Sequence, residues 1–138
     1  MIKKEVLMTD KLELQLDEIK INTIKDYHII NKEDELIVEI FNNDGSELTI
    51  TFKEVNGYYY QDFDGLNDLE LKPFSQNLDF ISYYKHGFAK FLQIDMNNKE
   101  ELHSSVPNFV INLIDSSIYV DANIIEINDE IYYMNYYN

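Results

Sequence analysis

The chain has 138 residues, 45% of them hydrophobic, and 26 acids against 11 bases give a formal net charge of −15 at pH 7. All eleven bases are lysine and there is no cysteine, which excludes a disulfide framework, thiolate chemistry and a Cys-based zinc site. A field of that sign repels nucleic acid and anionic membrane, and the chain has no arginine to make bidentate guanidinium contacts to phosphate.

The N-terminus, MIKKEVLMTD, starts basic, but only Val6-Leu7-Met8 follows before Thr9 and Asp10. A secretory signal needs about 7 to 15 apolar residues there, so none is read, and Met8 is an alternative start to Met1. No apolar run approaches the ~20 residues of a membrane span. From Lys11 to Leu16, Leu12, Leu14 and Leu16 alternate with Glu13 and Gln15, which predicts a half-buried strand. Asp17-Glu18 interrupts it, and Ile19, Ile21 and Ile24 resume out of phase, as at a bulge or turn. Tyr27 to Ile30 is a further short β run.

The stretch Glu35–Phe63 carries the strongest signals. ELIVEIF, SELTITFKEV and YYYQDF read as three strands, with Leu48, Ile50 and Phe52 on one face and Thr49, Thr51 and Lys53 on the other. Asn43-Asp44-Gly45 and Asn56-Gly57 are read as the two hairpin turns between them. Asp62 to Pro73 is predicted as an acidic loop. Its Asp62, Asp64, Asp68 and Glu70 miss the EF-hand pattern, because Gly65 is fourth rather than sixth and Pro73 stands where Glu is required.

Asn77 to Ile94 admits two readings. Leu78, Ile81, Tyr84, Phe88, Phe91 and Leu92 step by threes and fours, with Asn77 as cap, which favours a helix. Gly87 and Tyr83-Tyr84 support instead a hairpin around Lys85-His86-Gly87. Asn97 to Asn108 is read as a polar connector containing Pro107. Ile118–Val120, Ile125–Ile127 and Ile131–Tyr133 alternate as strands, with Asn128-Asp129 as a two-residue turn. The expected fold is therefore α+β and mainly β: one domain over 1–138, an antiparallel meander, curved or barrel-like, with one helix packed on it.

No catalytic motif is present. His28, His86 and His103 have no paired metal-ligand spacing, no serine sits in a glycine-flanked elbow, and no phosphate-binding glycine loop occurs. The expectation is no enzyme, no metal and no cofactor. A metal-assisted hydrolase using Asp62, Asp64 and His86 is the enzymatic alternative.

Charge and tyrosine are the informative features. Residues 26–80 carry thirteen acids against three lysines, and seven acids but no lysine follow Lys99. The eleven tyrosines include Tyr58-Tyr59-Tyr60, Tyr132-Tyr133 and Tyr136-Tyr137, and neighbours on a strand point to opposite faces. Tyrosine supplies rigid area and a hydroxyl to interfaces; the competing role is aromatic pairing within the sheet. The candidate partner-binding residues are Tyr58, Tyr60, Asp62, Asp64, Asp68, Glu70, Asp129, Glu130, Tyr132 and Tyr136.

Together these predict a small, acidic, cytoplasmic, non-catalytic protein that neutralises a basic protein partner, as an antitoxin, immunity protein or phage inhibitor blocks a nuclease or nucleic-acid-binding surface. A homodimer is compatible with this. The alternative is a β-barrel that binds a small apolar ligand.

Overall fold

The computed structural model describes residues 11–19, 24–62, 80–113 and 115–134. One helix, α1 (residues 11–18), precedes nine strands: β1 (Ile24–Lys32), β2 (Glu35–Asn42), β3 (Glu47–Asp62), β4 (Ile81–Tyr83), β5 (Phe91–Ile94), β6 (Glu101–Ser105), β7 (Phe109–Asn112), β8 (Ser116–Ile127) and β9 (Glu130–Tyr133). Seven strands form one antiparallel sheet in the order β1-β2-β3-β8-β7-β4, with β9 also on β8; β5 and β6 form a separate pair. The mainly β fold with one helix is as expected, but the order does not close on itself, so the sheet is not a barrel.

The helix replaces the strand predicted at Lys11–Leu16. Leu12 and Leu16 are both buried while Leu14 is 64% exposed, the i, i+4 face of a helix rather than the i, i+2 face of a strand. Residues 11–18 are Lys, Leu, Glu, Gln and Asp with no β-branched side chain, so local propensity agrees with the helix. Burying the two leucines stabilises it by roughly 1.5–3 kcal/mol each.

The predicted turn at Asn56-Gly57 is absent: β3 runs unbroken through it. The irregularity lies earlier, at Glu54, whose φ is 52°. Asn56 instead gives its side-chain amide to Asp121 Oδ2 at 3.1 Å. A Cβ on Gly57 would approach Ser105 Oγ to 3.3 Å, so this glycine serves close packing and not a hairpin.

The helix favoured over Asn77–Ile94 is also absent. Residues 80–94 hold β4, a turn closed by Gly87 N–H donating to Tyr84 O at 2.9 Å, and β5. Gly87 has φ 89°, outside the helical region, and a Cβ there would run into Val106 Cγ1. The hairpin reading fails too, because β4 pairs with β7 and β5 with β6. The connector predicted over 97–108 contains β6, with Pro107 in the gap before β7.

The chain divides into two compact units, with boundaries at Val55/Asn56 and Asp121/Ala122. In the first, β2 buries Leu36, Val38 and Ile40, and β3 buries Ile50 and Phe52. The register places Leu36 opposite Phe52 and Val38 opposite Ile50. Ile125, Ile127, Tyr132 and Met134 complete this inner face. Helix α1 lies on it: Gln15 donates from Nε2 to Ile127 O at 3.5 Å and accepts from the Tyr132 hydroxyl.

In the second unit, Phe109, Val110, Ile111, Ile118, Tyr119 and Val120 are all fully buried. Consecutive residues of a strand point to opposite faces, so β7 and this part of β8 are covered on both sides. Phe88 stacks on Tyr119 at 5.3 Å and Phe91 on Tyr59 at 4.4 Å. The hydroxyl of Tyr119 donates to Gln61 Oε1 at 2.8 Å, and that of Tyr59 is hydrogen-bonded to Ser105 Oγ.

Candidate functional site

The outer face of the sheet in the first unit follows directly from the inner one. Because Leu36, Val38 and Ile40 face the core, Ile37, Glu39 and Phe41 must face away, and the pairing Glu39–Thr49 and Phe41–Glu47 extends that face onto β3. On β1, Asp26, His28 and Ile30 stand opposite Phe41, Glu39 and Ile37. On the other side, Glu126 pairs with Ile131 and Ile124 with Tyr133. The face is thus a band of aliphatic and aromatic side chains interspersed with carboxylates.

Its electrostatics are one-sided. Alternation turns two lysines to this side, Lys32 opposite Glu35 on β1 and Lys53 on β3, against Asp26, Glu35, Glu39, Glu47 and Glu126, and the Lys53 Nζ lies 3.4 Å from Glu126 Oε1. His28 lies 3.4 Å from Asp26 and 3.6 Å from Glu39, with its ring edge-on to Phe41 at 5.1 Å. Between β3 and the β8–β9 turn the face sinks into a groove of about 380 Å³, lined by Glu47, Thr49, Thr51, Glu126, Asn128 and Asp129. Its lining thus brings three carboxylates together with two threonine hydroxyls and one amide. Asn128 and Asp129 have φ of 52° and 68°, the left-handed pair that a type I′ hairpin turn requires; the turn read from sequence is present, and it delivers Asp129 to the groove. Ile131, opposite the groove residue Glu126, and Tyr133, two residues further along β9 on the same face, are 44% and 51% exposed.

The described candidates named from sequence fall in two groups. Asp129 and Glu130 are exposed in the first unit, but Tyr132 is buried at 4% exposure. The two-residue turn sets Ile125 opposite Tyr132, so this ring shares the inner face with Ile125, and its hydroxyl is held by Gln15. Burial, and secondarily the charge of Glu130, pushes that hydroxyl's pKa above its usual value. Tyr133 presents the exposed ring instead. In the second unit, Tyr58, Tyr60 and Asp62 share one face of β3 by alternation, half-buried at Tyr58 and exposed at the other two. Asp64, Asp68, Glu70 and Tyr136 lie outside the described residues.

Glu47, Thr49, Thr51, Glu126, Ile131 and Tyr133 were not among the candidates, although the signal for them was available. Strand phase at Leu48-Ile50-Phe52 turns Glu47, Thr49 and Thr51 outward, and a two-residue turn at Asn128-Asp129 fixes which tyrosine of β9 is inside. At the β2–β3 turn, Asp44 accepts hydrogen bonds from the Ser46 hydroxyl and backbone N–H, and these hold its carboxyl below the usual range.

Among the described residues no cluster of three or more His, Asp or Glu is arranged to hold a metal ion. No described helix is long and apolar enough to cross a membrane.

No curated protein and no solved structure matches the chain significantly. A family model does match, over residues 12–132, a span that takes in α1 and the whole of the sheet from β1 to Tyr132. The chain therefore belongs to the YxiG-like protein family.

Proposed function

We propose that this protein is a non-catalytic acidic binding module that occupies and blocks the basic surface of a protein partner in the cytoplasm, in the manner of an antitoxin or immunity protein. The observation that carries this reading is the outer face of the first unit. There Glu47, Glu126 and Asp129 line a groove, Lys53 is already beside Glu126, and exposed Ile131 and Tyr133 lie on the same face. Carboxylates steer a cationic surface and raise its association rate, while the ring and aliphatic side chains supply area that outlasts salt screening. A surface whose biological role is to bind phosphate, as in a nuclease, has the complementary charge.

The test is affinity capture from host extract with the full chain and with a Glu47→Gln/Glu126→Gln/Asp129→Asn variant, at low and at high salt. The expected result is a stoichiometric basic protein, lost with the variant, whose nucleic-acid-directed activity falls when the wild-type chain is added. Recovery of no basic protein at low salt would refute the reading.

The ligand-binding barrel has lost its geometric support, since the sheet is open.

A further inference from the structure

Resting on that reading, we infer that the outer face of the first unit seats a single cationic amphipathic helix of the partner, laid across the strands, with one lysine or arginine side chain inserted into the Glu47–Glu126–Asp129 groove.

Three observations choose this occupant. The first is chemistry. Along the face, Ile30–Ile37, Phe41 and Ile124–Tyr133 alternate with Asp26, Glu39, Glu47 and Glu126. Apolar and anionic positions in one surface match a segment that carries apolar and cationic positions together, which is what one side and the flanks of an amphipathic helix present. The second is size. Five strands at about 4.8 Å spacing give a face ~20 Å wide, and its length is about 20 Å along β1 to β3, falling to ~13 Å at the four residues of β9. That is on the order of 400 Å², half of what each partner buries in a standard globular interface. Three turns of helix, ~16 Å long and about 10 Å across, fit it.

The third is sign. A second copy of this chain would bring another −15 against the same acids, so self-association through this face is opposed and a cationic partner is favoured. An added β-strand is the remaining alternative. It would bind along an edge through main-chain hydrogen bonds, leaving the side chains of the face and the groove unread.

Within the groove, a lysine ammonium or arginine guanidinium can donate to the carboxylates of Glu47, Glu126 and Asp129 and to the hydroxyls of Thr49 and Thr51 that line it. Tyr133 and Ile131, on the same face, then cover the aliphatic stem of that side chain.

The experiment titrates isotope-labelled full-length chain with three probes, followed by amide chemical shifts and calorimetry: a Leu/Lys helical peptide of 18 residues, a scrambled peptide of identical composition, and poly-lysine. The expected outcome is that the helical peptide binds at least tenfold more tightly than the scramble, with the largest shifts at Glu39, Thr49, Thr51, Glu126 and Tyr133. Tyr133→Ala should weaken it about tenfold without changing the melting temperature. Equal binding of helical and scrambled peptides would overturn the inference while sparing the basic-partner reading, because charge alone would then be read. Shifts centred on the exposed Leu92 and Leu102 of the β5–β6 pair, or on the β1 edge alone, would also overturn the face assignment only. Binding of none of the three probes would remove both. Dimerisation of the chain that Tyr133→Ala abolishes would replace the helix by a second copy.

Discussion

Strand β8 is buried in two different ways along its length. From Ser116 to Val120 every residue is buried, whereas after Asn123 burial alternates, with Ile125 and Ile127 inside and Ile124 and Glu126 half-exposed. Continuous burial requires cover on both sides of the strand, and in the second unit Phe88 and Phe91 contribute to it around Tyr119. Alternation requires cover on one side only, and in the first unit α1 lies on the inner side. The lesson is that burial on alternate residues marks a strand whose second side is partly exposed among the described residues, and in this protein that side carries Glu39, Glu47 and Glu126.

The contrast can be broken by substitutions whose effects should differ in size. Phe52→Ala on the inner face and Tyr119→Ala in the second unit, both fully buried, should each cost roughly 3–5 kcal/mol in chemical denaturation. Thr49→Ala, outward on the same strand as Phe52, should stay within about 0.5 kcal/mol. A cost at Thr49 comparable to that at Phe52 would mean the outer face is also core.

Tyr132→Phe should cost about 1 kcal/mol at neutral pH, from the lost hydrogen bond to Gln15. The hydroxyl is held protonated above its usual pKa in the folded state, so the unfolded chain ionises first. The stability this contributes is present below about pH 10 and is lost as pH rises through the folded value. The gap between wild type and Tyr132→Phe, followed by denaturant midpoint against pH, should therefore narrow above pH 10. A constant gap would contradict the burial of that ring.

Smallest should be Lys53→Gln. Its pair with Glu126 is partly exposed, so stability should change by about 0–1 kcal/mol. Removing a cation from the outer face should tighten binding of the helical Leu/Lys peptide, and weaker binding would reverse the assigned sign of the face.

Local alternation made the inner face of β2 and β3 legible, and the left-handed pair Asn128-Asp129 made the β8–β9 turn legible, because both depend on neighbours in the chain. Asn56-Gly57 has the same kind of dipeptide and no turn. Its amide and its missing side chain serve Asp121 and Ser105, partners 65 and 48 residues away in the chain, and nothing local announces such contacts. Leu12 and Leu16 fit both a strand and a helix by spacing, and only the exposure of Leu14 separates them. At Ile81–Leu92 the three- and four-residue steps arise from two short strands and a glycine turn, a coincidence of period that pairing with β7 and β6 overrides. As for the site, the acids of the β8–β9 turn were legible, and strand phase already turned Glu47 and Tyr133 outward, but that Glu47 and Glu126 meet across β3 and β8 in one groove is set by strand order, which no local pattern announces.

The measurement that bears most directly on the account is the affinity of the helical Leu/Lys peptide for the wild-type chain and for Glu47→Gln/Glu126→Gln/Asp129→Asn, taken across a salt series beside the denaturation curve of each. The account predicts at least a tenfold loss of affinity and a shallower salt dependence in the variant, with its unfolding midpoint unchanged. Equal affinity in the two proteins, at every salt concentration, would contradict it.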